Sequence, residues 1–194
     1  MTVAPLAVAH PDAALARERL TFLLQLAYSG ELGAARAYAG HHAALRDREE
    51  RRALMRILRD ELHHRHVLLR MLGELGSAPD PRRERKMNFV GRCISAFCGV
   101  GGWFAPMYGA GRLESQNIVE YENAARLANI AGLESWVDEL LVLAEVEWDH
   151  ELYFREKSRS HLLWRIVPGW NVPLPRPTIR ERYAAWAAIK QGCS

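Results

Sequence analysis

"RDELHHRH" (Arg59–His66) puts two acids and three histidines into eight residues. A helix surface seldom needs that density, and a buried face tolerates it only with a partner for every charge. Glu61 and His64 stand three apart, which on a helix places them on one face, one turn from each other. Asp60 and His63 fit the same spacing. Periodicity separates the two registers. Glu61 continues the apolar stripe of Leu54, Leu58, Leu68 and Met71, whereas Asp60 falls with Arg56 and Arg70 on the wet side. Glu61 and His64 are therefore the candidate ligands. His63 and His66 are left as surface or ligand-supporting groups.

The motif recurs as Glu147-Trp148-Asp149-His150, on a stripe that also holds Val137, Leu140, Ala144, Glu151 and Phe154. Each motif follows a helical pattern with a lone acid on its apolar side. In the first hairpin Leu20, Leu24, Ala27, Glu31, Ala34 and Tyr38 recur at alternating four and three. Glu31 lies 30 residues before Glu61, and the midpoint, Arg46, falls in the charged run "RDREERR" (46–52), read as the turn. In the second hairpin the inner face is Met107, Ala110, Glu114, Tyr121, Ala125 and Ala128, and Glu114, Glu120 and Glu122 compete as its acid. Glu114 lies 33 residues before Glu147 and Glu120 lies 27 before it, and both midpoints fall in the turn around Gly132. Both spacings differ by three from the 30 of the first hairpin, so length does not separate them; Glu114, on the inner-face stripe, leads and Glu120 stays open. Ser135 is the expected N-cap of the fourth helix.

Strand patterns are absent. Two helical hairpins joined by a long connection predict an all-α chain: a ferritin-like four-helix bundle with one crossover. The connection contains the basic "PRRERK" (81–86), read as a solvated connector, and then a Gly-rich apolar segment. The bundle is assigned to 1–157. Residues 158–194 form a C-terminal extension, with extended "PGWNVPLPRP" (168–177) and a short helix over 178–190. Two Glu-x-x-His motifs, each with an inward Glu on the preceding helix, suit two metal ions. Carboxylates bridge and neutralise them, imidazoles complete the coordination, and open positions remain for dioxygen. Iron is expected, and manganese suits the same donors.

Composition narrows the classes. Hydrophobic residues at 49%, charged residues at 25% and a formal charge of +3 are ordinary for one globular domain. The basic cluster has no aromatic nucleic-acid module beside it, so no nucleic-acid partner is expected. Three cysteines without CxxC spacing argue against a disulfide framework and a structural zinc site, and favour a reducing cytoplasm. The N-terminus does not read as a secretory signal. Nineteen residues between Arg92 and Arg112 carry no formal charge, near the length of a membrane span. Five glycines and Pro106 interrupt them, so a buried or lipid-facing segment is expected instead.

With these residues in view, the chain resembles the demethoxyubiquinone hydroxylases, ferritin-like di-iron monooxygenases of ubiquinone biosynthesis. "GELGAARAYAGH" (30–41) looks like their first-helix motif, and "RDELHHRHVLL" (59–69) like their second helix. Glu114-Ser115 with Tyr121 resembles the third-helix ligand step with its Tyr seven residues on, which raises Glu114 above Glu120. The resemblance spans roughly residues 20–155. It implies Glu31, Glu61, His64, Glu114, Glu147 and His150 as ligands of two iron ions. It also implies hydroxylation of a quinol ring with dioxygen at a membrane-associated pocket. The chain departs from the family at Val119 and Glu120, where His residues would precede the Tyr, in the acids around His150, and in its last 35 or so residues.

The expected protein is thus a di-iron hydroxylase of a quinone-like or other small apolar substrate, fed by an external electron donor. Tyr121, one helical repeat from Glu114, is the candidate catalytic residue, as a hydrogen-bonding or electron-transfer group; a packed core tyrosine is the competing reading. A cytoplasmic location, peripheral to a membrane surface, goes with the apolar segment, and a homodimer stays open. The alternative class is iron storage or peroxide scavenging, as in ferritins and rubrerythrins. A third reading is a membrane-associated binding module. There "SHLLWRIVPGW" (160–170) would sit at a lipid interface, although such a tail more readily caps its own bundle or a dimer partner.

Overall fold

A computed structural model describes residues 11–192. The described chain is all-helical, with no strand. Six helices follow in order: α1 (Pro11–Ala44), α2 (Arg48–Glu74), α3 (Pro81–Cys98), α4 (Phe104–Ile130), α5 (Val137–Arg159) and α6 (Thr178–Gly192). Helix α1 packs against α2, α3 and α4, α4 lies along α5, and α2 meets α5.

The local chemistry accounts for the boundaries. Asp47 caps α2 by accepting a hydrogen bond from the Glu50 amide at 2.8 Å. The turn between α1 and α2 is therefore only 45–47, shorter than the charged run, whose arginines continue into the helix. Gly76 and Gly132, at φ +69° and +74°, follow α2 and α4 in the left-handed conformation that glycine adopts freely. Helix α5 starts differently from expectation. A 3-10 turn over Glu134–Trp136 leads into it, and no side chain caps it, so Ser135 does not serve.

The connection between the hairpins is more ordered than its composition suggests. "PRRERK" is largely solvated, as read, but it opens an 18-residue helix, with Pro81 in its first turn and Asp80 capping the Arg82 amide at 2.8 Å. The uncharged stretch is split between α3 and α4 by the bend at 99–103. No helix among the described residues is long and apolar enough to cross a membrane.

Small residues let α3 lie close on α1. A Cβ on Gly91 would stand 2.5 Å from the Gly33 carbonyl oxygen and 2.8 Å from Arg36 Cβ. One on Gly40 would fall within 2.5 Å of Ser95 Cα. Gly91→Val is expected to lower stability by about 1–3 kcal/mol through overpacking. Urea unfolding checks this, and an unchanged midpoint would refute the close contact.

The core has two parts. Leu20, Leu24, Leu68, Met71, Ala125, Leu140 and Ala144 fill one end, and Tyr38, Leu54, Met107, Ala110 and Phe154 the other. The segment after α5 packs on its own chain. Trp170 donates to Glu151 Oε1 at 2.8 Å, Trp148 donates to the Leu174 carbonyl at 2.8 Å, and Ile179 is buried in the core. Arg155, paired with Glu151 at 2.9 Å, completes that contact.

Candidate metal centre

The two parts of the core are separated by charge. Glu31, Glu61, His64, Glu114, Glu147 and His150 are all buried, and Glu61, Glu114 and Glu147 are fully so. They come from α1, α2, α4 and α5, each at the inward position its stripe predicts. They form two overlapping groups, Glu31–Glu61–His64–Glu147 and Glu61–Glu114–Glu147–His150. Within each group one ligand atom per residue lies within 4.8 Å of the others. Glu61 and Glu147 belong to both groups. The residues present can hold a metal ion.

The unpartnered atoms support the same conclusion. Glu31 Oε2, both oxygens of Glu61, Glu147 Oε1, His64 Nδ1 and His150 Nδ1 are buried without a hydrogen bond. His64 Nδ1 stands 2.9 Å from Glu147 Oε1, and His150 Nδ1 stands 3.4 Å from Glu61 Oε1, without the alignment of hydrogen bonds. Six orphaned donor atoms around one point carry a large desolvation cost unless a cation joins them.

The electrostatics are those of a site that holds protons in place of a cation. Burial raises the Glu61 carboxyl well above the usual range, and the charges of Glu31 and Glu147 add to it. Glu114 rises through burial and then Glu147. Burial alone would lower His64, but the carboxylates of Glu147 and Glu31 outweigh it and lift it to about 9. His150 also rises, against burial, through Asp60, Glu147 and Glu61. Glu147 alone moves down: burial opposes this, and its contacts with His150 and His64 prevail.

Two tyrosines brace the cluster crosswise. Tyr121 of α4 donates to Glu31 Oε1 of α1, and Tyr38 of α1 donates to Glu114 Oε1 of α4. Asn117 adds a bond to Glu114 Oε2 at 2.9 Å and one to Glu147 Oε2 at 3.3 Å. The sequence argument singled out Tyr121 but not Tyr38. The signal was present, since each tyrosine stands seven residues after the lone Glu of its hairpin.

The competing acids separate cleanly. Glu120 is exposed. Glu122 is buried but engaged elsewhere, 3.4 Å from Arg126 and 3.2 Å from Arg182. Only Glu114 joins the cluster. His63 and His66 are exposed. Asp60 is the correction within the opening stretch: although half-exposed, it lies 3.1 Å from His150 Nε2, on the ring edge opposite the cluster. A carboxylate there fixes ring orientation and raises the basicity of Nδ1. Asp60→Ala is expected to weaken metal binding about 10–100-fold. Metal titration checks this, and wild-type affinity in the variant would show that Asp60 is idle.

Beside the cluster a cavity of about 430 Å³ opens between α1, α3 and α4. Its walls are almost wholly apolar, with Gly33, Ala34, Met87, Val90, Phe97 and Ala110 among them, and Glu114 and Asn117 lie at its edge. The adjoining helix α3 exposes Phe89 and Phe97, followed by Val100, on a face that also carries Arg85, Lys86 and Arg92.

No family model, curated protein or solved structure matches this chain. The reading of the site therefore rests on its own residues.

Proposed function

We propose that the chain is a ferritin-like di-iron oxygenase that hydroxylates a small apolar, quinol-like substrate with dioxygen. The observation that carries this reading is one juxtaposition: two four-ligand groups sharing Glu61 and Glu147, with an apolar cavity ending on Glu114. A storage site has no use for an apolar chamber of that size at its ligands, which disfavours the ferritin or rubrerythrin alternative. The sequence resemblance to demethoxyubiquinone hydroxylases points to the same chemistry.

Two iron ions held by Glu31, Glu61, His64, Glu114, Glu147 and His150 would supply the redox chemistry that activates dioxygen. The overall reaction inserts one oxygen atom into a C–H bond and releases the other as water. It consumes two electrons from an external donor and two protons. The protein's own part is positional. The cavity excludes water and seats the ring near Glu114. Asp60 orients His150. Tyr38 and Tyr121 hold Glu114 and Glu31 by their hydroxyl protons, which supports a ligand-bracing role for Tyr121. The exposed Phe89, Phe97 and Val100, flanked by Arg85, Lys86 and Arg92, suit the headgroup boundary of an anionic membrane from which such a substrate would enter.

The test is to load the full chain anaerobically with Fe(II), count bound iron, and supply labelled dioxygen, a reductant and a short-tailed methoxylated quinol. The expected result is about two iron ions per chain and labelled oxygen in the ring. Iron binding without any product would leave a metal protein of another class. A particle of about 24 subunits by light scattering would favour storage instead.

A further inference from the structure

The cavity has a second polar point that the metal reading does not use. His41 lines it, one helical turn beyond Tyr38 and about 4.5 Å further along α1 at 1.5 Å per residue. His41 is 2% exposed, and its Nε2 has no hydrogen-bond partner. A buried imidazole nitrogen left unpaired in an apolar wall is costly. The nearby carboxylate does not relieve it. Glu50 already accepts from Trp103 Nε1 at 2.7 Å and from Lys157 at 3.2 Å. Burial pushes His41 down to about 4, so the ring is neutral near pH 7 and can give or take one hydrogen bond at Nε2.

The walls around it suit a flat group. Gly33, Ala34 and Ala37 on α1 and Gly109 and Ala110 on α4 line the cavity with little bulk, between the larger Tyr38 and Leu113. A ring held there would have the Tyr38–Glu114 pair toward one edge and His41 toward another. Beyond the ring, the apolar side chains of α3 would accompany a hydrocarbon tail.

We propose that His41 is a ligand-selecting residue: its Nε2 hydrogen-bonds an oxygen substituent of a flat, tailed and otherwise apolar ring held between α1, α3 and α4. This rests on the reading of the cavity as the substrate chamber. It does not depend on metal binding or turnover.

The test compares two probes by calorimetry on the full chain: a short-tailed methoxylated p-benzoquinone and the alkylbenzene of the same tail length. Wild type is expected to favour the quinone by roughly tenfold or more, the value of one well-made hydrogen bond. His41→Phe is expected to erase that preference with alkylbenzene affinity nearly unchanged, and His41→Gln to keep much of it. Equal preference in wild type and His41→Phe overturns the proposal, as does a wild type that binds neither probe. Either result leaves iron loading as a separate question. Should His41→Phe fail to fold, nitrogen NMR of histidine-labelled wild type decides, with the signal assigned through His41→Gln. The His41 resonance must move with the quinone and stay fixed with the alkylbenzene, and the reverse overturns the assignment.

Discussion

Glu147→Ala and Glu61→Ala are each expected to remove both metal ions, whereas Glu31→Ala and Glu114→Ala each remove one. The difference follows from membership. Glu61 and Glu147 belong to both ligand groups, Glu31 and Glu114 to one each. Loss of a shared carboxylate would deprive both proposed ions of a donor. The expected weakening is at least roughly 100-fold, the upper end of what loss of a mere outer-sphere partner costs. Folding needs its own control, because Glu147→Ala takes away the carboxylate that faces both His64 and His150 in the metal-free protein. Metal content by elemental analysis, with helicity by circular dichroism as control, gives the readout. If Glu31→Ala and Glu147→Ala lose the same amount of metal, the two groups do not share ligands as described.

Raising the pH is expected to destabilise the metal-free protein and strengthen metal binding over the same range. His64 has a folded pKa of about 9 against an ordinary value of 6.5. A group raised in this way stabilises the fold fully below its unfolded pKa and loses that contribution as pH climbs through the folded one. For His64 the loss between about pH 6.5 and 9 is on the order of 3 kcal/mol. His150, Glu61 and Glu114 are also raised and act with the same sign. Glu147 is lowered, so its contribution is lost only on acidification below the ordinary carboxylate range. His41, lowered to about 4, stabilises above 6.5 and loses that contribution as pH falls toward 4, which lies outside this window. Metal ions compete for the atoms that hold the protons, so binding releases protons and tightens as pH rises. Urea unfolding of chelated protein at pH 6 and pH 9, with and without added metal, measures both trends. Stability of the chelated form that is flat or rising across that interval would contradict the assigned proton load.

The clustered acids and histidines were legible because each lay on a helical stripe at a spacing that physics restricts. A Glu three residues before a His on an apolar face has few uses other than a shared ligand, and two such pairs with two further inward acids have fewer. What escaped depends on contacts between helices. Asp60 sits one residue from Glu61 and so points about 100° away, which on a single helix is the wet side. Only the approach of α5 brings His150 to it. Tyr38 was placed on the right face, yet its target, Glu114, lies 76 positions further along the chain. Helix α3 was hidden by composition. Its basic start read as a solvated connector and the glycines that follow it as interruptions, whereas its one glycine, Gly91, serves close packing against Gly33. The Asp80-Pro81 start signal was present and was outweighed by the charge run that follows it.

The crossed tyrosines carry one more consequence. Tyr38 and Tyr121 each belong to one helical hairpin and give their proton to an acid of the other. Neither bond can exist inside a hairpin alone, so each phenol is a built-in reporter of docking between the halves of the chain. Burial and the neighbouring carboxylates push both phenols well above their ordinary range. Ultraviolet titration of tyrosine ionisation would therefore count assembled molecules. Of the protein's six tyrosines, Tyr38 and Tyr121 would stay silent in alkali until the hairpins part, alongside Tyr153, which burial pushes up to about 12.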